Sequence, residues 1–434
     1  MNPETNPDTI SDTLSFDAAR ERWLDNITRL APEYVPLSEA LGRVLAADAR
    51  SDIDVSPFDN SAMDGFALRA ADIADASADA PVELAVATTI AAGDCMEGTL
   101  VPGECARIMT GAPVPAGADT VVKIEDTATP EATQRARFIK PSPPAMNIRL
   151  RGEEVKAGEC VLIRGDLLGP AAIGLLAATG HATVPVYQQP TVGVISTGEE
   201  LIDVEQVPTA GKIRNSNSYS LAAQVRAAGA KVRQYANIHD TLEDTIAAFR
   251  QATAECDLVI SSGGVSVGDF DYVVEAVRSM GDLQFASVKM RPGKPQTTGL
   301  IGRTPFFGLP GNPASAYIGF ELFVRPAIRK MAGHTALRRP VQKAVLDHDL
   351  NKRAGFRYFM RGRLRLANDP TEYVRALREG TDYRVAVTEN QSSALLTSLH
   401  HANCLLVLPE DETLVSAGTV IDCMRLDIDE NVVV

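Results

Sequence analysis

The chain has 434 residues, 45% of them hydrophobic, and a formal net charge of −14. That length exceeds one ordinary domain and points to several. The acidic balance argues against a nucleic-acid-binding face, and no run of about 18 apolar residues is present to span a membrane.

In chain order, Met1–Thr13 is polar and carries prolines. It reads as a disordered tail and not a signal peptide, which points to the cytoplasm. A helix is expected from Phe16, because Phe16, Trp23, Ile27 and Leu30 recur at helical spacing. Ser15 caps it and Pro32 ends it. Residues 51–150 read as a small β domain, with alternation at Val82, Leu84 and Val86 and short apolar runs at 106–109, 120–124 and 137–139. Residues 70–81, rich in Ala and Asp, read as a surface loop. Residues 14–50 and 151–188 form a linking subdomain.

Residues 189–335 follow a different pattern. Strands are expected at 191–195, 232–237, 258–261, 283–290 and 306–309. Helices are expected at 216–228, 241–252, 272–280 and 313–331, the last with Asn312 as cap and Pro313 in its first turn. Alternating strands and helices mean βαβ units and a mostly parallel sheet. Short strands return in 336–434, at 356–366, 383–388, 404–408 and 420–426, as a β-rich, barrel-like C-terminal domain. The fold class is therefore α/β multidomain: a central parallel-sheet domain, two β-rich subdomains and a linking α+β subdomain. The six cysteines are scattered without a CxxC pair and read as buried free thiols.

In an open parallel sheet, ligands bind beyond the carboxyl ends of the strands. Five such exits can be read: Ser196-Thr197-Gly198-Glu199-Glu200, His239-Asp240, the run Ser262 to Asp271, Arg291-Pro292-Gly293-Lys294-Pro295, and Pro310-Gly311-Asn312-Pro313. Gly263, Gly264 and Gly268 let the backbone approach a ligand and offer amide donors to an oxyanion. The helix after Asn312 offers more amides. Thr197, Ser262, Ser266, Pro310, Gly311 and Asn312 complete the candidate ligand shell. Arg291 and Lys294 are cations for a phosphate. Glu200, Asp240, Asp269 and Asp271 are carboxylates suited to Mg²⁺, which bridges to phosphate oxygens. Asp240, Asp269 and Asn312 also fit plain helix caps. The bottom-up reading is a phosphorylated small ligand with a hard divalent cation.

The segments 261–272 (SSGGVSVGDFDY), 290–295 (MRPGKP) and 308–313 (GLPGNP) resemble the molybdopterin-binding domain of molybdenum insertases. Two upstream segments, 58–67 (FDNSAMDGFA) and 107–115 (RIMTGAPVP), resemble signatures of the bacterial MoeA proteins and of gephyrin's E domain. The likeness runs from about residue 16 to the C-terminus. It implies an elongated homodimer of four-subdomain chains. It also implies Mg²⁺-dependent insertion of molybdate into adenylylated molybdopterin, with release of AMP, downstream of a molybdopterin adenylyltransferase. Carried over by motif, Asp64 and Thr110 would come from the partner subunit. Glu200, Asp240 and Asp271 would bind metal or position molybdate and the attacking water, and Arg291 and Lys294 would hold phosphate or molybdate oxygens. Where many members carry a basic residue near 287 this chain has Ser287, with Lys289 the nearest cation. The resemblance also allows an alternative, a gephyrin-like scaffold holding a short receptor or cytoskeletal peptide.

Overall fold

The computed structural model describes residues 13–128, 134–265, 272–367, 380–388, 390–428 and 430. It divides into two compact units: residues 1–33, 42–46 and 186–434, and residues 34–41 and 47–185. The architecture is α/β multidomain, as expected. No helix among the described residues is long and apolar enough to cross a membrane.

The larger unit is built on a seven-stranded sheet. Its order is Thr13–Leu14, Gly281–Val288, Pro295–Ile301, Thr304–Leu309, Leu258–Ser262, Thr191–Ser196 and Lys231–Gln234. The last four strands are mutually parallel. Pro295–Ile301 runs antiparallel to both neighbours, which restores Gly281–Val288 to the common direction. The exits of five parallel strands therefore share one edge. Two expectations need correction here. Pro295–Ile301 was not anticipated as a strand, because it opens with proline and runs through Gln296, Thr297 and Thr298. The strand expected at 283–290 ends at Val288, because Met290–Arg291 leaves the sheet to pair with Arg357–Tyr358. The tail expectation for 1–13 lies outside the described residues except at Thr13, which pairs in register with Ser287.

Helices pack both faces of this sheet. Phe16–Asp25 starts at Ser15, whose hydroxyl accepts from the Ala18 amide. It ends earlier than Pro32, because the Asn26 side chain bonds back to the Arg22 carbonyl. Phe16 and Trp23 bury completely against Phe307 and Phe323. The expected helix 313–331 is continuous but widens to a π turn at Phe320–Val324, just before Pro326, which has no N–H to give. The Trp23 indole N–H donates to the Phe323 carbonyl in that turn at 2.9 Å.

The C-terminal strands close on themselves. Arg357–Leu366, Tyr383–Val387, Val341–Leu346, Val420–Arg425 and Cys404–Leu408 pair in turn, and the last pairs again with the first. This is the expected barrel, with a core of alternate residues such as Leu346, Val385 and Leu406. After the barrel, Glu430 turns back onto the helix Arg325–Met331. Its side chain is fully buried, bonded to Arg325 and 3.3 Å from Arg329.

The smaller unit carries a five-stranded sheet: Thr120–Lys123, Gly65–Leu68, Glu104–Ile108, Val82–Ile90 and Arg135–Phe138. Gly65–Leu68 is an inner strand, between Thr120–Lys123 and Glu104–Ile108, and was not anticipated. A Cβ at Gly65 would lie 2.0 Å from the Val122 carbonyl, so only glycine fits. Residues 70–81 are more than a surface loop. They open with a 3₁₀ turn, Ala70–Ile73, and Ile73 and Ala76 bury against Phe66 and Leu68. All six cysteines are free; Cys95 is exposed and Cys160 half-buried, while the other four are buried as expected.

Burial alone would push the Glu430 carboxyl up, but Arg325 and Arg329 outweigh it and hold the pKa below the usual carboxylate value. Removing one partner of a buried ion pair costs about 3–5 kcal/mol. Glu430→Ala should therefore lower stability by about that amount in chemical unfolding. In the wild type this contribution should be complete above about pH 4.3, the unfolded carboxylate value, and fade as pH falls through the lower folded one. Acid unfolding curves of wild type and variant should then converge at low pH.

Candidate functional site

At the shared strand edge lies a cavity of about 580 Å³. Thr197, Glu200, Asp240, Ser262, Gly263, Gly264, Pro310, Gly311 and Asn312 line it, nine of the sequence candidates in one place. Asp240 is not the cap of the helix that follows. Thr241 takes that role for Leu242–Glu255, accepting from the Asp244 amide, while Asp240 accepts from the Glu199 amide at 3.1 Å. Asn312 occupies the N-cap position of Pro313–Gly319 but makes no side-chain cap bond, so its amide is available to the cavity.

The glycine turn is built by its neighbours. Gly263 has φ +98° and Gly264 φ +64°. A Cβ on Gly263 would stand 2.6 Å from the Thr197 carbonyl. The Thr197 hydroxyl faces both glycines, is buried and has no hydrogen-bond partner among the described residues. A buried polar atom of this kind is costly unless a ligand or water completes it. Sequence reading missed Asn217. Its amide donates to the Ser262 hydroxyl at 2.7 Å and to the Gly311 carbonyl at 2.8 Å, tying two strand exits together. In sequence it is one of several Ser and Asn residues at a helix start, and nothing local marks it.

Arg291 and Lys294 do not line this cavity. They line a second one of about 320 Å³, which shares Pro295, Pro310 and Asn312 with the first. Arg291 stacks over Phe356 at 4.9 Å. The second cavity holds a third cation that sequence reading missed, Arg361, only 1% exposed. Its guanidinium bonds to the Ser398 hydroxyl and to the carbonyls of Asn390 and Ser392, all neutral. Burial lowers its pKa. Lys289, the nearest cation to Ser287, is exposed and lines neither cavity.

Asp64 and Thr110 sit in the smaller unit. The Thr110 amide and hydroxyl both donate to one Asp64 oxygen at 2.7 Å. These bonds hold the carboxyl below its usual range. On the rim beside Asp240, His239 and Glu199 pair at 2.8 Å, which raises the His239 pKa and lowers that of Glu199. Ser266, Gly268, Asp269 and Asp271 lie outside the described residues. Among the described residues no three His, Cys, Asp or Glu side chains converge on one point.

A parallel sheet whose carboxyl edge carries glycine turns, acids and cations defines an α/β protein that binds phosphorylated or oxyanionic ligands. Residues 14–180 match the family described as MoeA N-terminal region (domain I and II), 193–330 the probable molybdopterin binding domain, and 343–426 the MoeA C-terminal region (domain IV). A molybdopterin molybdenumtransferase of Staphylococcus epidermidis is 39% identical over 412 residues, 94% of each chain. One of Staphylococcus aureus is 38% identical over 414 residues, 95% of each. The crystal structure of a molybdopterin biosynthesis MoeA protein from Pyrococcus horikoshii superposes with a TM-score of 0.77 at 30% identity, over 95% of this chain and all of that one. The chain belongs to the MoeA family of molybdopterin molybdenumtransferases.

The glycine contacts give a contrast to measure. Gly263→Ala forces both a strained φ and a clash, and should cost about 1–3 kcal/mol in chemical unfolding. At Gly311 a Cβ meets only Gly263 Cα at 3.7 Å. Gly311→Ala should stay within about 0.5 kcal/mol of wild type.

Proposed function

We propose that this chain inserts molybdate into adenylylated molybdopterin in a Mg²⁺-dependent reaction that releases AMP and molybdenum cofactor. The observation that carries this reading is the segregation of charge between two cavities with a common wall. One holds Glu200 and Asp240 with a single exposed cation, Arg214, whose Nε donates to the Gln206 carbonyl; the other holds Arg291, Lys294 and Arg361 and has no acid among its described lining residues. None of these six side chains is in an ion pair among the described residues. Their fields are left for ligands.

The acid-lined cavity fits Mg²⁺, which needs only one or two carboxylates beside substrate phosphate oxygens. Glu200 and Asp240 would hold it, with Asp271 added by the family resemblance. Bound there, the ion would neutralise the phosphoanhydride and polarise its phosphorus. The rest falls to the chain. The Gly263 amide is spent on the Leu309 carbonyl, so the Gly264 amide and the Thr197 hydroxyl would hold phosphate oxygens. Asn217 would keep the Ser262 and Gly311 exits at fixed spacing. Cleaving a phosphoanhydride needs positioning and charge neutralisation more than a protein nucleophile, and this edge supplies both. Arg291, Lys294 and Arg361 would hold molybdate, a tetrahedral dianion, across the shared wall from the pterin phosphate.

We read the active species as a homodimer, with Asp64 and Thr110 acting in the partner's site. The Asp64 carboxyl is pre-ionised by its two bonds from Thr110, which suits a fixed acceptor for substrate or water.

The deciding assay supplies purified protein with adenylylated molybdopterin, Mg²⁺ and molybdate, and follows AMP and active cofactor. Turnover should vanish with a chelator and return with Mg²⁺. Asp240→Asn should lower kcat by about 100-fold or more with an unchanged melting temperature. Lack of turnover by an intact wild-type dimer would overturn the reading and turn attention to the scaffold alternative. In mixtures of Asp64→Ala and Asp240→Asn chains, hybrid dimers with one wild-type site should recover activity. Mixtures as inactive as either parent would rule out a site shared between subunits.

A further inference from the structure

The segment 390–394 lies against both cavities: Gln391 and Ser393 line the cation cavity and Ala394 the acid cavity. Sequence reading assigned it nothing. Its bonding centres on Arg361. The carbonyls of Asn390 and Ser392 accept from Nη2 at 3.0 and 2.9 Å. Between them in sequence, Gln391 reaches the other end of the same residue. The Arg361 amide donates to Gln391 Oε1 at 2.9 Å, and Gln391 Nε2 donates to the Arg361 carbonyl at 3.0 Å. Three consecutive residues thus bracket Arg361 at both its backbone and its guanidinium.

Two features separate this from ordinary loop packing. The Gln391 amide is saturated: Oε1 is occupied, and Nε2 serves the Arg361 carbonyl, the Thr388 carbonyl and the Thr388 hydroxyl. It has no donor left for a ligand, although it lines the cavity. Arg361, in contrast, has Nε and Nη2 committed, while Nη1 has no protein partner among the described residues. A guanidinium is a rigid planar fork, so fixing two nitrogens fixes the direction of the third. Its partners among the described residues are all neutral, a costly setting for a buried charge unless an anion completes it.

We propose that Gln391 is a positioning residue for oxyanion binding. It clamps the Arg361 backbone so that Nη1 is presented to the cation cavity in the geometry a tetrahedral oxyanion requires. The ligand never touches its amide. This rests on the reading of that cavity as the molybdate site. The test keeps the two apart by measuring molybdate binding to the full-length protein calorimetrically, beside KM for adenylylated molybdopterin and the melting temperature. The wild type should bind molybdate, and Lys294→Ala should abolish or greatly weaken it. Gln391→Ala should weaken it by ~10-fold, the scale of a lost pair of buried hydrogen bonds. KM for the pterin substrate and the melting temperature should stay near wild type. Thr388→Val, which removes only the hydroxyl partner, should give a smaller loss in the same direction. Gln391→Glu is nearly isosteric, keeps the acceptor and loses the donors, so it should match or exceed the Gln391→Ala loss and serves if the alanine variant does not fold. If wild type fails to bind molybdate, or Lys294→Ala binds it equally, the cavity reading falls and this inference with it. If Lys294→Ala loses binding while the Gln391 and Thr388 variants bind as wild type, the positioning role alone is overturned. A Gln391 loss that raises both constants and lowers the melting temperature in proportion would also overturn it, as plain structural damage.

Discussion

Acids and cations that serve one reaction must be kept from neutralising each other. Side by side, Glu200 and Asp240 would pair with Arg291, Lys294 and Arg361, and little field would remain for a substrate. The fold separates them by strand order. The acids leave from strands on one side of the sheet, and the cation loop follows Gly281–Val288 on the other. Between them stand Pro295, Pro310 and Asn312, which carry no charge and belong to both cavity walls. Much of the remaining architecture follows from that spacing. The antiparallel strand Pro295–Ile301 is inserted between cation loop and acid exits, and widens the gap by one strand.

The parts of the site legible in sequence were those whose chemistry is local. Glycines beside acids at strand ends carry their meaning within a few residues, so the edge formed by Thr197, Glu200, Asp240, Gly263, Gly264 and Gly311 could be anticipated. Arg361 could not. It is one of four arginines at odd positions of Arg357–Leu366, and three of them, Arg357, Arg363 and Arg365, are more exposed. What singles it out is closure of the barrel and the return of residues 390–392 onto it, both non-local. Pro295–Ile301 was hidden for a related reason. Gln296, Thr297 and Thr298 are fully buried, yet an oxygen of each side chain has no partner among the described residues. Polar residues of this sort read as a turn until the neighbouring strands are in place.

The helical side shows the same limit. A single long helix over 313–331 was legible from its apolar periodicity. The π turn within it was not, although Pro326 stood in plain view, because proline in a helix can kink, break or widen it. The indole of Trp23, about 300 positions away in the chain, meets the carbonyl that the widening presents.

The short strand Met290–Arg291 shows how the two layers of the larger unit depend on each other. It lies between the α/β sheet and the barrel, hydrogen-bonded to Arg357–Tyr358, three residues before Arg361 on the same barrel strand. Two of the three cations are thus carried on one continuous hydrogen-bonded ladder that crosses from one layer to the other. An α/β layer standing alone would keep its glycines and acids, but it would lose Arg361 and the support beneath Arg291. In this chain the barrel is both a wall of the cation-lined cavity and, through Phe359, Leu405 and Met424, part of the core beneath the sheet, so shortening the chain from its C-terminal end would cost the two together.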